Sequence, residues 1–263
     1  MKWFCYTVDD NIRFLKEINE RRPNSLFDHP YLAMYKRLHK QFGLHVQLNL
    51  FYQCPDFDLS EMTDRYRDEW AANAHWLKLS FHSRRESARP YEKAGYDEVF
   101  ADCGAVHREI LRFAGAESLA KTTTVHYCLA TDEGIAALRD HGIVGLLGLY
   151  GEDQRPNRSY QSTDEERTRL RAGETVLSGG IAYAGIDIIL NCFGKDEILR
   201  RLSALMGRYL IKVMIHEQYF YSDYPRYQPE FEEKLYQAFS YLSENGYESR
   251  FFEETYESMG GQL

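Results

Sequence analysis

A chain of 263 residues can bury a large core and is close to the length of one barrel domain, so a single domain spanning 1–263 is expected. Hydrophobic residues at 44% and charged residues at 27% form a globular balance that excludes extensive disorder. The net charge of −8 excludes a broad phosphate-binding face and with it a nucleic-acid partner, and the pairs Arg21-Arg22, Arg84-Arg85 and Arg200-Arg201 read as solvated faces among acids.

From the N-terminus, Met1 leads within two residues into an apolar run, with no basic region or cleavage site of a secretion signal. No apolar stretch approaches the ~18 residues of a membrane span, so a cytoplasmic protein without a membrane partner is expected. The first strand is predicted over 3–8. Helical spacing follows over 11–22 and 30–42, then a strand over 45–52, a helix over 60–74 and a strand over 76–81. A helix over 96–113 leads to a strand over 122–128. Asp132 and Glu133, ahead of Ile135, Ala136 and Leu138, mark the start of a helix over 132–141, and a strand over 143–149 follows. The polar stretch 151–171 and the glycines after it suggest an inserted hairpin before a strand over 186–190. A helix over 195–206, a strand over 210–215, a helix over 229–245 stopped by Gly246 and a last strand over 247–252 complete the chain.

Short apolar runs alternating with helices predict an α/β fold of parallel strands, and the count fits a (β/α) barrel, a distorted TIM-like one with seven or eight strands. No glycine-rich dinucleotide fingerprint follows the first strand and no phosphate loop occurs. Five cysteines without a CxxC pair indicate neither a disulfide framework nor a zinc finger; Cys128, two residues after His126, is expected to pack in the core.

The polar residues at strand ends carry the functional signal. Asp9-Asp10 closes the first predicted strand, His82 the third, His126 lies near the end of the fourth, and His216-Glu217 closes the penultimate one. In a parallel barrel those ends share one face, where catalytic groups gather. Each has a plainer explanation: a helix N-cap for Asp9 or Asp10, a core hydrogen bond for His82 or His126, an ion pair for His216. The joint placement argues otherwise, because His29, His39, His75, His107 and His141 fall in predicted helices or loops and only His45 begins a strand. Imidazoles and carboxylates in this mixture suit a divalent ion with an open position for water.

These residues resemble the polysaccharide deacetylases of the NodB type. Tyr6-Thr7-Val8-Asp9-Asp10-Asn11 is similar to that family's first motif, Thr-Phe-Asp-Asp-Gly, which implies Asp9 as general base and Asp10 as metal ligand. Ser80-Phe81-His82-Ser83-Arg84-Arg85-Glu86 resembles the second motif, in which two histidines one helical turn apart complete the metal site; here Glu86 stands for the second, and His126 is the rival third ligand. Val213-Met214-Ile215-His216 is similar to the late Leu-x-Leu-His motif, whose histidine protonates the leaving amine. The family's Arg-Pro and Asp/Trp segments are not evident, Arg155-Pro156 being a faint echo. The resemblance implies a distorted barrel, often of seven strands, and a divalent metal: zinc, or manganese or magnesium if Glu86 ligates.

The expectation is a metal-dependent hydrolase of a carbon–nitrogen bond, an N-acetyl or related amide on a small sugar-like molecule. Tyr219, Tyr221, Asp223 and Arg226, directly after His216, are candidates for contacting that substrate, aromatics by stacking and Asp223 and Arg226 by hydrogen bonds. The loop 83–95 is a candidate lid. Two other readings stand beside this one: a non-catalytic carbohydrate-binding or regulatory barrel, motivated by Glu86 and Asn11, and a barrel isomerase or lyase using Asp9 and His216.

Overall fold

The computed structural model describes residues 2–87, 89–154 and 158–258. The Arg155-Pro156 pair lies outside the described residues.

The first strand, β1 (Lys2–Asn11), has every residue from Trp3 to Asp9 buried, as in a parallel strand covered on both faces, and all but Thr7 and Asp9 are apolar. Its neighbours on either side are β2 (Val46–Phe51), which pairs in turn with β3 (Leu77–Ser83), and a late strand over Leu210–His216. A second sheet holds β4 (Thr122–Thr123), β5 (Gly145–Gly148) and β6 (Ile181–Gly185) in parallel, with Thr175–Ser178 pairing antiparallel to β6 as the expected inserted hairpin.

The two sheets meet at both edges. On one side Ala120 N donates to Leu79 O of β3 at 2.8 Å. On the other the chain leaves β6 and passes to β7 (Ile188–Ile189), which pairs with β8 (Leu210–His216). Asp187 sits at that seam: its N–H donates to Lys212 O, and its carboxylate accepts from Lys212 N and from the buried Lys212 ammonium at 2.9 Å. Going round, β8, β1, β2, β3, β4, β5 and the β6–β7 segment form a seven-membered distorted (β/α) ring, though no continuous ladder among the described residues closes it. A short strand, β9 (Tyr247–Ser249), adds to β1 at its start.

Six helices follow their sequence signals closely, α1 (Arg13–Arg21), α2 (Pro30–Phe42), α4 (Tyr96–Phe113), α5 (Asp132–Asp140), α7 (Lys195–Leu205) and α8 (Phe231–Glu244); α3 (Arg67–Asn73) is shorter than expected, and α6 (Asp164–Arg171) and α9 (Phe252–Ser258) fall where the sequence predicts no helix. α2 has Pro30 at its first position and ends on Gly43 at φ 65°, a left-handed cap that costs glycine nothing. α5 is capped by Thr131, whose hydroxyl accepts from Gly134 N, so Asp132 is its first-turn charge rather than its cap.

Other expectations change as well: the strand over 186–190 is only Ile188–Ile189, because Leu190 enters a 3₁₀ turn. The helix over 60–74 is a short 3₁₀ turn, Leu59–Glu61, with a capping box from Asp58 and Glu61, and then α3. The strand over 122–128 stops at Thr123, and His126–Cys128 is a tight turn with Tyr127 at φ 62° and Cys128 at φ 54°. The strand over 247–252 stops at Ser249, because Phe252 turns inward at the head of α9; its ring lies 2.9 Å from where a Cβ on Gly145 would sit, filling the end of the barrel. No helix among the described residues is long and apolar enough to cross a membrane.

Candidate metal-centred active site

Two β-bulges aim the first site residues. Between β1 and β2 the register moves from Val8 opposite Leu48 to Asn11 opposite Leu50, so the Asp9-Asp10 pair carries one residue too many, and Asp10 adopts φ 62°. Between β2 and β3, Leu50 faces Phe81 but Phe51 faces Ser83, which leaves His82 as the extra residue. A bulge bends its strand and re-aims the side chain it carries. Asp10 and His82 thus turn toward each other at the carboxyl ends of neighbouring strands.

The turn at His126 brings a third donor. Asp10 Oδ1 lies 3.1 Å from His82 Nε2 and 3.3 Å from His126 Nδ1, and the two ring nitrogens are 3.1 Å apart. His82 Nδ1 donates to the Thr124 carbonyl, which leaves Nε2 with its lone pair facing the other two. Burial lowers the His82 pKa against the opposing pull of Asp10. One proton on His126 Nδ1 can serve only one of two acceptors; a cation at the centre serves all three. A tetrahedral ion with bonds of about 2.0–2.1 Å separates its ligands by roughly 3.3 Å, and the observed triangle has that size. Asp10, His82 and His126 therefore fit a divalent metal. Burial raises the Asp10 carboxyl, but the adjoining His126 and His82 rings and the nearby His216 outweigh it and hold Asp10 well below the usual carboxylate range. Phe51 walls the group, its ring centroid 5.2 Å from His82 and 5.0 Å from His126.

Asp9 is 2% exposed and accepts from Asn49 Nδ2 at 2.7 Å. Burial pushes its carboxyl well above the usual value, the Asn49 bond opposes this, and the Asp10 charge adds to it. Asn49 is fixed in turn by Gln47, whose amide also donates to Thr122 O, so a buried polar ladder crosses the barrel beneath the site. His216 stands beside Asp9 across the β1–β8 pairing. Its Nδ1 donates to Asn191 Oδ1 at 2.9 Å, which sets the tautomer with a free Nε2; burial lowers its pKa while Asp10 raises it.

Two residues have roles that the sequence did not assign. Glu217, 1% exposed, places Oε2 on Ile12 N and Arg13 N at 2.8 and 3.0 Å and Oε1 on Phe14 N at 2.7 Å, capping α1 from across the barrel. The signal was indirect: α1 begins at Ile12-Arg13 with no capping side chain of its own. Burial pushes the Glu217 carboxyl up to about 7 while the three N–H groups pull it down. With Tyr221 O–H also donating to Oε1, neither oxygen has an acceptor to which a carboxyl proton would point, so this geometry holds the carboxylate. Gln218 Nε2 donates to Asp10 Oδ2 at 2.7 Å, on the side away from the histidines. No local pattern announces that role.

A cavity of about 1070 Å³ opens beside Asp10, lined by Phe51, Gln53, Arg13, Gln218 and the rim residues Glu86 and Asp223. The remaining candidates divide around it. Glu86 is exposed on the rim, outside the Asp10–His82–His126 group. Asp223 pairs with Arg13 at 2.6 Å. Tyr219 lies against the His216 and Tyr224 rings. Tyr221 turns inward to Glu217, with the Arg13 guanidinium 4.0 Å above its ring, and Arg226 is exposed away from the cavity lining.

No family model and no curated protein sequence matches the chain. Solved structures do. A family 4 acetyl xylan esterase from Clostridium thermocellum, in complex with a cobalt ion, is 14% identical over 99% of this chain and 93% of its own, with a TM-score of 0.52. A peptidoglycan N-acetylglucosamine deacetylase is 10% identical over 96% and 86%, with a TM-score of 0.54. A 4-alpha-glucanotransferase from Thermococcus litoralis is 13% identical over 98% of this chain but 40% of its own, at 0.59. At these identities the likeness is one of architecture, and the chain has the fold of the polysaccharide deacetylases that its motifs resemble.

Proposed function

We propose that the protein is a metal-dependent hydrolase that removes an acyl group, an N-acetyl foremost, from a small sugar-like substrate. The observation that carries this reading is the ion-sized triangle of Asp10, His82 and His126 beside a cavity large enough for a saccharide unit. A divalent ion held there, zinc by its donor set, would polarise the acyl carbonyl, acidify water and by its charge keep the buried Asp9 ionised.

The chain's own groups do the rest. Asp9, held by Asn49, takes a proton from the attacking water at its carboxylate. His216, with Nδ1 tied to Asn191, acts as the imidazolium: it gives its Nε2 proton to the departing nitrogen and regains one from the proton that Asp9 took from water. Water thus adds to the acyl carbon, the carbon–nitrogen bond breaks, and acetate and a free amine leave. Phe51 shields the histidines from bulk water on one side.

The test is acetate release from N-acetylated mono- and oligosaccharides by protein loaded with zinc, cobalt or manganese. Asp9→Asn is expected to lower the rate by about 10²–10⁴-fold with bound metal unchanged. Absence of acetate release with every metal, or an Asp9→Asn protein as active as the parent, would sink the reading.

A further inference from the structure

Lys234, on α8, is 2% exposed. Burying a lysine costs desolvation that an apolar side chain of similar length would not incur, so its contacts point to what it is kept for. Its Nζ donates to Gln228 Oε1 at 2.8 Å and pairs with Glu230 Oε1 at 3.2 Å. An ammonium only donates, so the Gln228 oxygen faces it and Nε2 points away, donating to Asn191 O at 2.8 Å. Asn191 in turn accepts at Oδ1 from His216 N, at 3.2 Å, and from His216 Nδ1, at 2.9 Å. The backbone N–H of His216 can only donate, which fixes the Asn191 amide as well and puts a hydrogen on Nδ1. Four residues thus run from α8 to the ring of His216, each donor set against an acceptor.

Resting on the hydrolase reading above, we propose that Gln228 is a positioning residue for the acid: anchored by the buried Lys234, it holds the turn that carries Asn191 and so keeps His216 Nε2 aimed at the leaving nitrogen. Asn191 lies in the short 3₁₀ turn Leu190–Cys192, beyond the last paired residue of β7, where a bond to its carbonyl fixes what the sheet does not. Gln228 N also donates to Tyr219 O at 2.9 Å, so the same residue ties that turn to the one following His216. An acid must sit within a few tenths of an ångström of its productive position, and small misplacement is paid in rate. The demand depends on the leaving group. A sugar amine leaves only once protonated, whereas a nitrophenolate leaves as the anion, so a loosened His216 slows the first and spares the second.

The experiment compares acetate release from an N-acetylated sugar and from 4-nitrophenyl acetate by zinc-loaded protein. Gln228→Met and Lys234→Met, both close in volume, break the chain at two points. Each is expected to lower kcat on the amide about tenfold with KM unchanged and to leave the aryl ester within about twofold. In a His216→Ala background neither should cause a further loss on the amide. Equal losses on both substrates, no loss on the amide, or a full additional loss without His216 would overturn the proposal, since a structural support alone behaves in the first or last way. A second arm reads the His216 ring nitrogens by NMR at pH 8, assigned by comparison with His216→Ala. The parent is expected to hold one tautomer, protonated at Nδ1, and Gln228→Met a mixture of two. If the amide releases no acetate, the hydrolase reading fails and the NMR arm alone decides: a parent without the Nδ1 proton, or a Gln228→Met spectrum like that of the parent, refutes the role of Gln228.

Discussion

Glu217→Gln probes the most economical contact in the molecule. The carboxylate joins the turn after β8 to the start of α1 through three backbone N–H groups and the Tyr221 hydroxyl, and α1 has no other cap. The amide substitute can keep one oxygen on Ile12 N and Arg13 N and turn its nitrogen to Tyr221, whose hydroxyl rotates to accept. Phe14 N, fully buried, is then left facing a donor. A stranded buried N–H costs about 1–3 kcal/mol, and loss of a negative charge at a helix N-terminus about 0.3–1 kcal/mol or more where partly buried. The sum is about 3 kcal/mol, which for a protein of this size lowers Tm by roughly 6–12 °C. Urea unfolding of metal-free protein at pH 8, above the Glu217 value of about 7, measures it with the carboxylate ionised in the parent. A loss under ~1 kcal/mol with an unchanged m-value would refute the capping argument.

Other outcomes follow from the same coordinates. His82→Ala and His126→Ala should each weaken zinc binding on the order of 10²-fold or more, whereas Glu86→Ala, on the exposed rim, should leave it within a few-fold; chelator competition reads all three, and a large effect of Glu86 would reverse the ligand assignment. His107 is buried beside Cys103 Sγ, and burial, with the His141 charge in the same direction, lowers its pKa to about 4. Its folded value lies below the unfolded one, so its contribution is present above pH 6.5 and is lost as pH falls from there toward 4. The amount is about 3 kcal/mol at 1.36 kcal/mol per unit, and His107→Leu should flatten the stability slope between pH 6.5 and 4.5 relative to the parent. Gly145→Ala would set a Cβ 2.9 Å from both Phe252 and Thr122, an overpacking expected to cost about 1–3 kcal/mol in urea titration; a neutral result would mean that α9 does not fill the barrel end.

The sequence by itself determined the alternation of strands and helices, and with it the ring. Helices with a strong stop, such as Pro30–Phe42 before Gly43 and Tyr96–Phe113, were legible because their signals are local: a proline at the first position, a glycine that takes positive φ, apolar residues one turn apart. The gathering of Asp9-Asp10, His82, His126 and His216 was legible too, since parallel strands deliver their carboxyl ends to one face. Tertiary structure decided which of these groups touch. Whether His126 or Glu86 stands beside Asp10 and His82 depends on two bulges and on a turn with Tyr127 and Cys128 at positive φ. Each bulge is a one-residue change of register, set by packing between strands far apart in the chain. Likewise Glu217 lies more than 200 residues from the helix it caps, and Gln218 from the aspartate it holds. No periodicity reports such contacts, because each is stabilised only when the ring has closed.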